Sequence, residues 1–276
     1  MPLNFTPNTA QANSVKLNAN EHTRSLAGYK VLVVEDNIIN QQVVTEFLSL
    51  SGILVNVANN GKEALELLAQ NDFSAVLMDM HMPVMDGFET TQQLRLQPRF
   101  KNLPIFALSA GVTAEEQARC LESGINEFIS KPITPEQLLT VLTRWIKPVA
   151  IPAQQVKVAA PASTDDLALF DFTNILALLG NNQALLIDIL QTFKDSFQSF
   201  QAELNALLLT KDRVAIQALV HTLKGTAGNM GAMSLYASVS VLDAELKVSL
   251  PNEDLLQSFS QTFVATMVSL DNILKS

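Results

Sequence analysis

The sequence predicts two domains of different class: an open α/β domain built on a five-stranded parallel sheet, then an all-α four-helix bundle. Three observations carry this. Between positions 30 and 147, short apolar runs alternate with helix-period segments. Between 147 and 164 the chain reads "KPVAIPAQQVKVAAPAST", rich in Pro, Ala and Val and without a core-forming period. After position 165 the strand pattern disappears and apolar residues recur at gaps of three and four.

The apolar runs are "KVLVV" at 30–34, "ILVNV" at 53–57, "SAVLMD" at 74–79, "PIFALS" at 104–109 and "NEFIS" at 126–130. Helical stretches are expected near 40–51, 61–70, 87–97, 113–123 and 135–146. Strand-then-helix units in series give a parallel sheet covered by helices on both faces. In the second half, Leu186, Ile189, Leu190, Phe193, Phe197, Phe200, Leu204 and Leu207 predict one long helix. A helix around His221 follows, then 232–248, then 253–275, the last two separated by "SLPNED" with Pro251 as the break. Four amphipathic helices of this length favour antiparallel bundle packing. The expected boundaries are a polar leader over 1–28, the α/β domain over 29–147, a linker over 148–164 and the bundle over 165–276.

Composition narrows the function. The chain has 276 residues, is 48% apolar, carries a net charge of −9 and contains one cysteine, Cys120. No basic stripe is present, so direct nucleic-acid binding is not expected. No apolar run approaches the roughly 18 residues of a membrane span, and no secretory signal pattern opens the sequence. A single cysteine fits a reducing compartment. These features predict a cytoplasmic location without direct membrane contact.

Chemistry is expected at the carboxyl ends of the strands, where open α/β sheets place their functional groups. The first run ends in Glu35 and Asp36, the third in Asp79 and the fourth in Ser109, and Lys131 closely follows the fifth. Three carboxylates at one sheet edge repel one another unless a cation or shared protons relieve them. A hard divalent ion with oxygen ligands is the economical solution, and it would also neutralise an incoming phosphoryl group. Lys131 could then pair with phosphoryl oxygens, Ser109 could donate a hydrogen bond, and one carboxylate could act as nucleophile.

The strings "VLVVEDN", "LMDMHMPVMDG", "ALSA" and "FISKP" resemble the signature of response-regulator receiver domains, whose fold is flavodoxin-like. The resemblance covers about 29–147. It implies that Asp79 is the phosphoacceptor, that Glu35 and Asp36 are acidic metal-site residues, and that the backbone carbonyl of His81 is a further metal ligand. The implied cofactor is Mg2+, with Mn2+ as an alternative. The resemblance also implies Ser109 and Phe128 as the switch pair, Lys131 as the phosphate partner, and a cis Lys131–Pro132 bond. Pro83 and Gly87 lie in the loop after the acceptor, where turn chemistry alone would account for them.

The segment "LVHTLKGTAGNMGA" at 219–232 places His221, Lys224, Gly225 and Gly228 on one helical face. Ile216, Val220, Leu223, Ala227 and Met230 form a core-like stripe beside it. Glycine inside a helix costs about 1 kcal/mol relative to alanine. Two glycines beside a histidine therefore suggest the close approach of something large. An exposed, neutral imidazole could accept a phosphoryl group, with Lys224 offsetting its charge. The segment resembles the motif of histidine-containing phosphotransfer domains, which implies His221 as phosphoacceptor with Lys224 and Gly225 as companions. Asp243 stands where many members of that family carry glutamate.

The leading reading is a phosphorelay protein resembling the C-terminal end of a hybrid sensor histidine kinase. Phosphate would reach Asp79 from a histidine kinase core, expected on the same full-length chain, and pass through His221 to a downstream response-regulator receiver. Neither domain shows an ATP site, so any kinase activity belongs to the parent chain, whose anchoring in the inner membrane the sequence leaves open. Two other readings stay open. A magnesium-dependent aspartyl-phosphate phosphatase would place an acidic residue two positions after the nucleophile, where His81 stands. A non-catalytic interaction module would have no use for Asp79, Lys131 and His221 together.

Overall fold

A computed structural model describes residues 26–109, 114–146, 170 and 172–275. The expected linker and most of the expected leader lie outside the described residues. The first domain contains strands β1 (Lys30–Val34), β2 (Leu54–Ala58), β3 (Ala75–Asp79), β4 (Ile105–Ser109) and β5 (Glu127–Ser130). Its helices are α1 (Ile38–Ser49), α2 (Gly61–Gln70), α3 (Gly87–Arg95), α4 (Ala114–Ser123) and α5 (Pro135–Trp145). All strand pairs are parallel, in the order β2-β1-β3-β4-β5.

The three central strands are apolar because helices cover both of their faces. Val31, Val33, Leu77, Phe106 and Leu108 point to the side of α1 and α5, where they meet Val43, Phe47, Leu138 and Leu142. Leu32, Val34, Val76, Met78 and Ala107 point to the other side, among Ala64, Leu68, Phe88, Leu94 and Cys120 of α2, α3 and α4. The edge strands β2 and β5 are only partly buried. Leu26, in the expected leader, is buried in the α1-side core.

Short polar residues start the helices at the functional edge of the sheet. Asn37 accepts from the N–H groups of Ile39 and Asn40 at α1, and Asp86 accepts from Glu89 N–H at α3. Thr134 and Gln137 form a reciprocal capping box at α5, with Pro135 in its first turn. Turn chemistry is not the reason for Gly87. A Cβ there would lie 2.4 Å from the backbone oxygen of Asp79 and 2.9 Å from Met80 Cα, so α3 starts hard against the end of β3.

The helical region differs from the four expected helices. It contains α6 (Phe172–Leu178), α7 (Gln183–Phe197), α8 (Phe200–Thr210), α9 (Arg213–Asn229), α10 (Met233–Val248) and α11 (Glu253–Lys275). The single helix expected over 186–207 is divided at Gln198 and Ser199. Both residues keep right-handed helical backbone angles. The stripe Phe193, Phe197, Phe200, Leu204 therefore crosses the break without losing its spacing, and periodicity does not reveal it. Helix α9 packs on α8 and α10, α10 packs on α11, and α11 returns to α7, which closes the bundle. Phe200 stacks on Phe263 and lies beside Phe259 at its centre.

The two domains touch. Helix α1 of the sheet domain packs against α7 and α9 of the bundle, and one continuous apolar core joins them.

Candidate functional site

Parallel strands deliver their carboxyl ends to one edge of the sheet, and the ionisable residues gather there. Glu35 and Asp36 follow β1, and Asp79 ends β3. One oxygen from each of the three carboxylates lies within 4.8 Å of the others. Lys131 directly follows β5 and precedes a cis Lys131–Pro132 peptide, and its backbone N–H donates to Ser109 O at 2.6 Å. Its ammonium bridges Asp79 Oδ2 at 2.6 Å and Glu35 Oε2 at 2.8 Å. The backbone N–H of His81 donates to Asp79 Oδ1 at 3.1 Å, and Asn40 Nδ2 donates to Glu35 Oε1 at 2.8 Å.

The electrostatics follow from three acids facing one lysine. Burial, then the negative charge of Asp79, pushes Glu35 up to about 8 despite Lys131. Burial and Asp79 also raise Asp36. Burial acts on Asp79 in the same direction, but the charge and hydrogen bond of Lys131 outweigh it and hold that carboxyl low. Burial lowers Lys131, and the charges of Asp79 and Glu35 more than reverse this. The cluster is short of positive charge, and its donors are all oxygen. That chemistry fits a hard divalent cation held by Glu35, Asp36 and Asp79.

Ser109 is buried at the end of β4. Phe128, on β5, is half-buried against the core on the α2–α4 side of the sheet.

Helix α9 of the bundle covers this edge, and His221 is not the freely exposed imidazole expected. It is half-buried, with its ring centroid 4.9 Å from that of His81. Burial first, and then His81, pushes its imidazole down to about 4, so it is neutral at physiological pH.

Lys224 also departs from expectation. It is buried and donates to Asp243 Oδ2 of α10 at 2.8 Å. The lysine thus fastens α9 to α10.

Gly225 makes room for the sheet domain, and Gly228 for the sheet domain and for Tyr236 of α10. A Cβ at Gly225 would lie 3.4 Å from Lys131 Cδ, and one at Gly228 would lie 3.2 Å from Pro132 Cβ and 3.0 Å from Tyr236 Cδ2.

Four participants were not singled out from the sequence. The ring of His81 faces His221, although only its carbonyl was expected to matter. Asn40 and Asn229 meet between the domains, and Tyr236 Oη donates to Lys131 O at 3.5 Å. Asn229 lies eight positions after His221, on the same helical face, so that offset was available as a signal.

Comparison with known proteins agrees with this division. Residues 31–143 match the model of the response regulator receiver domain, and residues 188–270 match that of the Hpt domain. Sensor histidine kinase GacS of Pseudomonas protegens is 30% identical over 82% of this chain, and the chain spans 25% of that protein. Sensory/regulatory protein RpfC of Xanthomonas campestris is 27% identical over 79% of this chain, which spans 30% of it. Among solved structures, one similar chain is the receiver domain of sensor histidine kinase PA1611 from Pseudomonas aeruginosa, with a magnesium ion coordinated in its active site cleft. It is 35% identical, covering 44% of this chain and 98% of its own, with a TM-score of 0.42. The chain therefore carries a response regulator receiver domain followed by an Hpt domain.

Proposed function

We propose that this chain relays a phosphoryl group between Asp79 and His221. The observation that carries the reading is the placement of a neutral, half-buried imidazole over the acidic cluster, with its ring against His81, two residues from Asp79. Asp79 is the nucleophile toward the incoming group: its carboxyl is held low and is ionised at neutral pH. Lys131 stays protonated and is placed to pair with phosphoryl oxygens, and the Ser109 hydroxyl contributes a hydrogen bond from the end of β4. Ser109 and Phe128 are the switch positions. Magnesium, or manganese on the same oxygen donors, would be held by Glu35, Asp36 and Asp79, with the His81 carbonyl as a further ligand. Such an ion supplies charge neutralisation for the transferred group.

In the second step a lone pair of the His221 imidazole attacks phosphorus. The bond from phosphorus to Asp79 oxygen breaks, and the carboxylate leaves with the electron pair. Because the imidazole is neutral, no proton has to be removed before it attacks. Gly225 leaves space for the Lys131 side chain beneath the helix. His221 later surrenders the group to an aspartate of a downstream receiver. The upstream donor is the histidine of a kinase core belonging to a longer parent chain. The expected location is the cytoplasm, and no helix among the described residues is long and apolar enough to cross a membrane.

Phosphate mapping tests this. The chain is incubated with magnesium and a small-molecule phosphodonor, and label is located in wild type, Asp79→Ala and His221→Ala. Label on Asp79 that moves to His221 only when both residues are present is expected. Absence of label from both residues, with magnesium bound, would overturn the relay.

A further inference from the structure

We propose that Asn229 of α9 and Asn40 of α1 are a positioning pair that sets the docking register of the histidine helix; the inference rests on the relay reading above. Both side chains are 3% exposed, although each belongs to a different domain. Asn229 Nδ2 donates to Asn40 Oδ1 at 2.9 Å, across 189 positions of sequence. Asn229 Oδ1 accepts from the backbone N–H of Ile133 at 2.9 Å. Both hydrogen bonds of the Asn229 side chain therefore go to the sheet domain.

The direction of these bonds is fixed. The Ile133 N–H can only donate, so the carbonyl end of Asn229 faces it. The amide nitrogen of Asn229 then needs an acceptor, which is Asn40 Oδ1. This leaves Asn40 Nδ2 to donate to Glu35 Oε1 at 2.8 Å. The other oxygen of Glu35 accepts from Lys131, whose ammonium also holds Asp79. A single chain of hydrogen bonds thus runs from the bundle, through two amides, to the acceptor carboxylate.

Geometry gives the pair its purpose. His221 and Asn229 lie eight residues apart on one helix, or about 12 Å along its axis. Contact of the His221 ring with His81 does not by itself fix the helix against sliding or rolling. A second, directional contact two turns away removes that freedom. A slide of one turn, about 5.4 Å, would break the hydrogen bonds to both Asn40 and Ile133. An apolar pair here would give area without register. It follows that another receiver docking on His221 in this register would offer Asn229 Nδ2 an acceptor at the Asn40 position of its own first helix.

The test uses the full chain as wild type, Asn229→Ala, Asn40→Ala and the double variant. Asp79 is labelled with a small-molecule phosphodonor and transfer to His221 is timed. Asn229→Ala should label Asp79 as wild type does and transfer on the order of 10- to 100-fold more slowly, as expected for the two interdomain hydrogen bonds it loses. The double variant should be slowed by less than the product of the two single effects, because both remove the Asn40–Asn229 contact, although Asn40→Ala also removes the bond to Glu35 and Asn229→Ala the bond to Ile133. Wild-type transfer in Asn229→Ala, or single effects that multiply in the double, would overturn the pair. Hydrogen exchange of the Ile133 amide gives a second readout that needs no phosphate. It should be protected in wild type and accelerated in Asn229→Ala, with bundle-core amides unchanged; equal exchange in both would overturn the pair. If wild type labels Asp79 but never His221, the relay reading fails, and the Ile133 amide still decides whether the two asparagines hold the domains together.

Discussion

Gly225 offers a way to separate the demands of the bundle from those of docking. The three heavy atoms nearest to a Cβ at this position, outside the backbone of its own helix, are Lys131 Cδ at 3.4 Å, Lys131 Nζ at 3.9 Å and Asn40 Nδ2 at 3.9 Å, and all three belong to the sheet domain. The bundle itself therefore does not require glycine here. Gly225→Ala makes ordinary van der Waals contact and gains helix propensity, so it should keep docking and stabilise the bundle by about 1 kcal/mol. Gly225→Leu gains similar propensity, because leucine is also a good helix former. Its further carbons, however, enter the space held by Lys131 and Asn40. Overpacking of this kind costs about 1–3 kcal/mol. The cost falls on the docked state alone, so the docking equilibrium should weaken by about 5- to 150-fold. Protection of the Ile133 amide reads this directly, and transfer from Asp79 to His221 should slow with it. Denaturant unfolding of the bundle should meanwhile show no loss of stability. A Gly225→Leu chain that keeps wild-type Ile133 protection would refute the claim that the receiver, and not the bundle, demands this glycine.

Three other outcomes are expected. Lys224→Ala strands the buried Asp243 carboxylate and should cost the bundle about 3 kcal/mol in urea unfolding, whereas Lys224→Met combined with Asp243→Leu should recover most of it. Magnesium at about 100 times its Kd should stabilise the sheet domain by about 3 kcal/mol in thermal unfolding, an effect that Asp36→Asn should largely remove. His221 should titrate near pH 4 by NMR in the docked chain and return toward 6.5 in Gly225→Leu. Because docking depresses this imidazole, its contribution to docking is fully present above about pH 6.5 and is lost as pH falls toward 4. A midpoint near 6.5 in both chains would remove the burial argument for a neutral nucleophile.

How much of this is legible in sequence depends on how far apart the interacting residues lie. The sheet is legible because central strands are continuous apolar runs and end in residues that have no place in a core. The carboxylate cluster follows, since parallel strands send Glu35, Asp36 and Asp79 to the same edge whatever the details of packing. The helix break at Gln198 and Ser199 is not legible, because the phenylalanine stripe passes through it unchanged. Lys224 is misleading for a different reason. Its helical position places it beside His221, but its long side chain reaches Asp243 on the next helix, and no local pattern reports a partner 19 residues away. Gly87 shows the same limit: its necessity comes from the backbone of Asp79 and Met80, which only the tertiary fold brings near. The Asn40–Asn229 contact is the extreme case, joining two domains across 189 positions.

The docked arrangement also orders the steps of the relay. The face of α9 that carries His221, Gly225, Gly228 and Asn229 lies against Lys131, Pro132, Asn40 and Ile133 of the chain's own receiver. In the proposed relay a downstream receiver would need the same face, so the two would occupy it in turn, and the chain's own receiver would have to leave before His221 gave its phosphoryl group away. The polar contacts suit such an exchange. Asn229, Asn40 and the Ile133 N–H lose their partners on separation but regain hydrogen bonds from water, so undocking does not strand buried polar groups. The Lys224–Asp243 pair lies wholly within the bundle, and Lys131 with Glu35 and Asp79 wholly within the receiver, so neither buried ion pair is broken when the domains part. These buried charge pairs lie inside the domains, whereas the buried side-chain hydrogen bonds of Asn229 cross between them beside the shared apolar core. That division lets the receiver domain release its histidine without loosening either fold.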